Sequence, residues 1–140
     1  MPELVYAIVT DAPVHIQELS KLVASPHSGA VVTFCGDVRD HDGGKEVASL
    51  LYEIHPSAPE QIKLITQSIM GRFEIEKVAV AHRYGNIAIG ETAFAVAVSA
   101  AHRQAAFDAC SAIVDEVKAK LPIWKHQKFT DGSDEWVNCA

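Results

Sequence analysis

Four of the chain's twelve Lys and Arg residues fall between positions 117 and 130, where Lys118, Lys120, Lys125 and Lys128 stand with His126 and without a carboxylate. Lysines grouped in this way concentrate an anion, and an amine that is also desolvated becomes a base or a nucleophile. Trp124 and Trp136 accompany the segment, so it reads as ordered surface, not a loose tail. A second reading is structural. Lysines at a helix end offset the helix dipole, and Asp115 stands three residues before Lys118. Lys118 itself comes four residues after Val114 and seven after Ser111, on the edge of an apolar stripe. It is either a partly desolvated amine or a snorkelling one.

Two His-Arg doublets, His82-Arg83 and His102-Arg103, supply further anion-binding types. His102-Arg103 falls where a strand gives way to a long helix, and free backbone N–H groups at a helix start favour phosphate or carboxylate. His82-Arg83 ends a strand, where charged residues are commonplace. A third cluster, Gly36-Asp37-Val38-Arg39-Asp40-His41, is a glycine-led turn of the kind that projects functional loops from a rigid strand. His41 has Asp40 and Asp42 beside it but no second histidine at ligand spacing, so no metal site is assigned. Cys35 lies in an apolar run and Cys110 on a helix stripe, both read as packing residues, and Cys139 reads as an incidental exposed thiol. No G-x-S-x-G, G-x-G-x-x-G or P-loop pattern occurs.

The elements that must carry these residues follow from periodicity and punctuation. Residues 3–10 are a strand, followed by a helix that starts at the Asp11-Ala12-Pro13 signal and runs to about 24. Residues 30–35 form a continuous apolar run, expected to be a buried strand, and 47–54 a third strand after the loop 37–45. Ile62, Ile65, Ile69 and Phe73 mark an amphipathic helix over 58–73. Strands follow at 77–82 and 91–99, then the longest helix at 103–120, stopped by Pro122, and an extended stretch at 123–129 before the Asp131-Gly132 turn. Several strands follow one another without a helix between them, which predicts an α+β fold with a mixed or largely antiparallel sheet.

The 140 residues fit one domain, 1–140, with 49% apolar residues to build a core. A net charge of −6 argues against a nucleic-acid or anionic-membrane binder. The odd number of cysteines and the lack of an apolar leader or span predict reduced thiols and a cytoplasmic location.

Six blocks in order, residues 29–41, 52–56, 80–85, 90–91, 98–107 and 118–125, carry a specific resemblance. They include Gly36-Asp37-Val38-Arg39-Asp40-His41, Tyr52-Glu53-Ile54-His55-Pro56, His82-Arg83-Tyr84-Gly85, Ser99-Ala100-Ala101-His102-Arg103 and Pro122-Ile123-Trp124-Lys125. The chain resembles the large, catalytic subunits of molybdopterin synthase. The resemblance implies an α/β hammerhead-type fold with an additional small subdomain. It implies a sulfurtransferase of molybdenum-cofactor biosynthesis that turns cyclic pyranopterin monophosphate into the dithiolene molybdopterin. The sulfur would come from the thiocarboxylate at the C-terminal Gly-Gly of a small ubiquitin-like subunit, with two large subunits as a homodimer inside a heterotetramer. No cofactor and no metal are implied. Matched by motif, Lys118 and Lys125 fall on the family's catalytic pocket, and Arg39, His102 and Arg103 on its anion-binding positions.

This chain departs from the family at its end, where Trp136-Val137 is followed only by Asn138-Cys139-Ala140, without the basic residue that would reach a neighbouring pocket. His126-Gln127-Lys128 also departs in charge order. Two other classes compete with the synthase reading: a non-catalytic anion-binding or regulatory module on the same scaffold, and a cysteine-dependent sulfur carrier.

Overall fold

The computed structural model describes residues 1–138; the Cys139 assignment lies outside them. Its elements are β1 (Glu3–Thr10), α1 (Ile16–Val23), β2 (Ala30–Asp37), β3 (His41–Asp42), β4 (Lys45–Ile54), α2 (Ala58–Met70), β5 (Lys77–Arg83), β6 (Gly85–Ile87), β7 (Thr92–Ala100), α3 (Arg103–Lys120), β8 (Ile123–Phe129) and β9 (Asp134–Val137). The predicted α+β fold is what forms, as two sheets and three helices.

The first sheet has the order β1-β5-β7-β2. β1 and β5 are parallel and the other pairs antiparallel, so it is mixed. Side-chain size alternates along its central strands. Val78 and Val80 of β5, with Phe94, Val96 and Val98 of β7, pack in the main core with the buried faces of α2 and α3. Ala79, Ala81, Ala95 and Ala97 point the other way and pack with Leu19 and Val23 of α1. The period of two along a strand produces both layers, and the small alanines let the short helix lie close to the sheet.

The second sheet has the order β3-β4-β8-β9, with β6 also paired to β4. β8 follows α3 almost directly. Leu121 takes an extended backbone, as the residue before a proline must, and Pro122 ends the helix.

Four expectations need correction. β2 is an edge strand, not a buried one: alternate residues are accessible, and Val31, Thr33 and Cys35 face outward. Cys35 is therefore not a packing residue, whereas Cys110 is. α1 begins at Ile16, with His15 as an extended N-cap, because Pro13 and its neighbours form the approach and not the first turn. α2 stops at Met70, capped by Gly71, and leaves Phe73 outside the helix.

Candidate functional site

The loop leaving β2, the end of α3 and one face of β8 converge on a cavity of about 310 Å³. Its cations are Arg39, Lys118 and Lys125, and its walls include Gly36, Val38, Leu50, Tyr52 and Phe94. Register explains which lysines arrive there. In the β4–β8 ladder Tyr52 lies opposite Lys125 and Leu50 opposite Gln127, and partners across an antiparallel pair share a face. His126 and Lys128 must then point the other way. His126 stacks on Trp136 with ring centroids 4.2 Å apart and meets Asp134 at 2.8 Å. Lys120 also lies outside the cavity, paired with Glu116 at 2.8 Å. The four-lysine segment thus divides, and Lys118 and Lys125 face one space. Lys118 lines the cavity and is accessible to solvent as a residue.

The Arg39 loop is held at several points. Val38 donates its backbone N–H to the Glu91 carbonyl at 2.9 Å, and Gly90 donates back to Val38 at 2.7 Å. Thr92 donates its hydroxyl to Asp37 at 2.7 Å. Arg39 is exposed, and its ion pair with Asp42, at 3.5 Å, is long enough to yield to a better anion. Asp42 is tied to the other side of the cavity, because Gln127 Nε2 donates to its Oδ2 at 2.6 Å. That hydrogen bond, with the charges of Lys125 and Arg39, holds the Asp42 carboxyl below the usual carboxylate range. The carboxylate therefore remains ionised beside the two cations.

By its sequence position His82 is an ordinary strand-end residue. It is fully buried. Its ring lies 4.9 Å edge-on from that of Tyr52 and 5.4 Å, nearly parallel, from that of Phe94, both cavity-wall residues. Burial, aided by the positive charge of Lys118, pushes its pKa down to about 4, so the imidazole is neutral at ordinary pH. Val78 and Val80 precede it on the same face of β5, and this break from apolar to imidazole in an alternating row was the available sequence signal. Gln127 and Asp42 were also missed, because their role depends on register.

His102 and Arg103 do not join this cavity within one chain. They are exposed at the N-cap and first residue of α3, fifteen or sixteen residues before Lys118, a separation of roughly 22 Å at 1.5 Å per residue. Among the described residues no group of three or more His, Cys, Asp or Glu is placed to hold a metal ion. No helix among them is long and apolar enough to cross a membrane.

The cavity can thus hold a compact anion between Arg39, Lys118 and Lys125, against a wall of Tyr52 and Leu50. The chain is 40% identical over 136 residues to the molybdopterin synthase catalytic subunit 1 of Mycobacterium tuberculosis, covering 94% of this chain and 90% of that protein. The crystal structure of molybdopterin synthase from Staphylococcus aureus matches with a TM-score of 0.85 at 27% identity, over 94% of this chain and 96% of that one. A chain of the Helicobacter pylori molybdopterin-converting factor, solved as a complex of subunits 1 and 2, matches with a TM-score of 0.70 over 94% of this chain and 88% of its own. At 18% identity that likeness is one of fold. The family model described as MoaE protein matches residues 9–120, and the chain belongs to this family, that of the molybdopterin synthase catalytic subunits.

Proposed function

We propose that the cavity is where sulfur passes from the thiocarboxylate tail of a small subunit to cyclic pyranopterin monophosphate, building the molybdopterin dithiolene. The observation that carries this reading is the convergence of Arg39, Lys118 and Lys125 on one cavity in a chain of net charge −6. Both reactants are anions, and fixed cations in a cleft concentrate them and stabilise charge that develops as sulfur is transferred.

Arg39, on the accessible loop, takes the phosphate, and Lys118 and Lys125 orient the thiocarboxylate and move protons. Each donation leaves a carboxylate on the tail, so a dithiolene requires two deliveries. His102 and Arg103 reach a bound phosphate only from a second copy of the chain, which fits a homodimer of large subunits within a heterotetramer. The free thiols of Cys35 and Cys110 suit a reducing cytoplasm.

The test is reconstitution with a thiocarboxylated small subunit and cyclic pyranopterin monophosphate, with molybdopterin measured. Lys118→Ala should abolish product while the small subunit still binds. Undiminished turnover in that variant would instead favour a non-catalytic, anion-binding module.

A further inference from the structure

The row of β5 side chains facing the main core runs Val78, Val80, His82. An imidazole at its end has little to do as packing, for the two rings beside it are aromatic and the strand could close with another apolar residue. One nitrogen is accounted for: Nδ1 lies 2.8 Å from the Arg83 carbonyl, which only accepts, so Nδ1 carries the proton. Nε2 is then a bare lone pair. It is buried and meets no hydrogen-bond partner among the described residues. Buried acceptors are rarely left so, and this one calls for a partner. The surroundings supply one, because Tyr52 and Phe94 hold the ring against the cavity wall and the charge of Lys118 acts on it.

We propose that His82 is a positioning residue for Lys118: its Nε2 accepts a hydrogen bond from the Lys118 ammonium as the cavity fills, and fixes where that amine points. The ring remains neutral throughout and gives up no proton; Nδ1–H stays on the Arg83 carbonyl. The proposal deepens the sulfur-transfer reading and rests on it for its consequence, though the His82–Lys118 contact can be tested without turnover.

Two substitutions separate the ring's two nitrogens. His82→Asn keeps a donor near the Nδ1 place and removes the Nε2 acceptor, whereas His82→Gln can put its carbonyl oxygen near the Nε2 place. In the reconstituted complex, kcat of His82→Asn should fall about tenfold with KM nearly unchanged, and His82→Gln should recover most of it. A purely structural role would lower the amount of folded protein and leave turnover per folded molecule alone; that result, or equal kcat in both variants, overturns the proposal.

The second measurement needs no synthase activity. With inorganic phosphate filling the cavity, the acetylation rate of Lys118 by acetic anhydride is followed by mass spectrometry of its peptide, with exposed Lys63 of α2 as the internal standard. His82→Asn should change the Lys118 rate about threefold or more relative to Lys63, with His82→Gln close to wild type. An unchanged ratio in His82→Asn overturns the proposal, whatever the complex makes. A changed ratio in a chain that makes no molybdopterin would sustain the contact and sink the sulfur-transfer reading.

Discussion

Gln127 on β8 donates its side-chain amide to the Asp42 carboxylate at 2.6 Å, joining residues 85 positions apart. One hydrogen bond thereby ties the strand that carries Lys125 to the turn that carries Arg39. Gln127 is nearly fully buried, so its amide has little choice of partner, and it holds Asp42 through Oδ2 while Oδ1 keeps only a long pair with Arg39.

Replacing Gln127 by Leu should release that carboxylate to compete with the bound anion for Arg39 and Lys125. Affinity for the pterin phosphate should fall about three- to tenfold, about the value of one ordinary hydrogen bond, as measured by calorimetry. Adding Asp42→Asn to the same chain removes the competitor and should restore binding. A double variant no better than Gln127→Leu would show that the bond acts by shaping the cavity and not by restraining charge.

Arg39→Ala should cost about ten- to a hundredfold in affinity for the pterin phosphate, because a charge-assisted contact contributes about 1.5 to 3 kcal/mol. The guanidinium is exposed and its ion pair with Asp42 is long, so thermal stability should move by less than about 0.5 kcal/mol. Calorimetric titration with the pterin phosphate, beside a urea melt, reads both. Unaltered affinity would remove Arg39 from the phosphate site.

How far the sequence went is clear from single elements. β8 was bounded at 123–129 because Pro122 and Asp131-Gly132 punctuate both ends, and α3 at 103–120 because its apolar period runs unbroken between a His-Arg junction and a proline. The cationic segment was legible too. What could not be read was facing. Nothing in Lys125-His126-Gln127-Lys128 says which alternate residues look into the cavity until β4 fixes the register. The run Ala30 to Cys35 is apolar whether its strand is central or an edge, and β2 is an edge. Three residues, the length of β6, leave no periodic signal at all. The length of α3 sets His102 and Arg103 apart from Lys118 within one chain, a distance that motif matching alone does not give.

The cysteines separate the synthase from a sulfur carrier. Cys35 is exposed but its thiol is pushed up by partial burial and by Asp37, and burial raises that of Cys110 to about 11, so neither is a ready thiolate. Changing Cys35, Cys110 and Cys139 to serine together should leave molybdopterin formation within about twofold per folded molecule. The buried Cys110→Ser should alone cost about 1 kcal/mol of stability, seen in a urea melt. Loss of turnover in a folded triple variant would revive the cysteine mechanism.

His82 also ties stability to pH. Its folded pKa is about 4, below the ordinary value of 6.5, because burial resists the charged ring and Lys118 adds repulsion. Above 6.5 the imidazole is neutral whether the chain is folded or not, and its contribution is fully present. Between 6.5 and about 4 the unfolded chain takes up a proton that the folded chain refuses, so stability is lost as pH falls through that window and levels off below it. A gap of about two and a half units at about 1.4 kcal/mol each gives a loss on the order of 3 kcal/mol. Urea melts at intervals from pH 7 to 4 should show that decline, and His82→Gln should flatten it by a comparable amount. A pH dependence identical in the two chains would mean that the ring takes up its proton in the folded state, and would contradict the neutral imidazole on which the packing against Tyr52 and Phe94 depends.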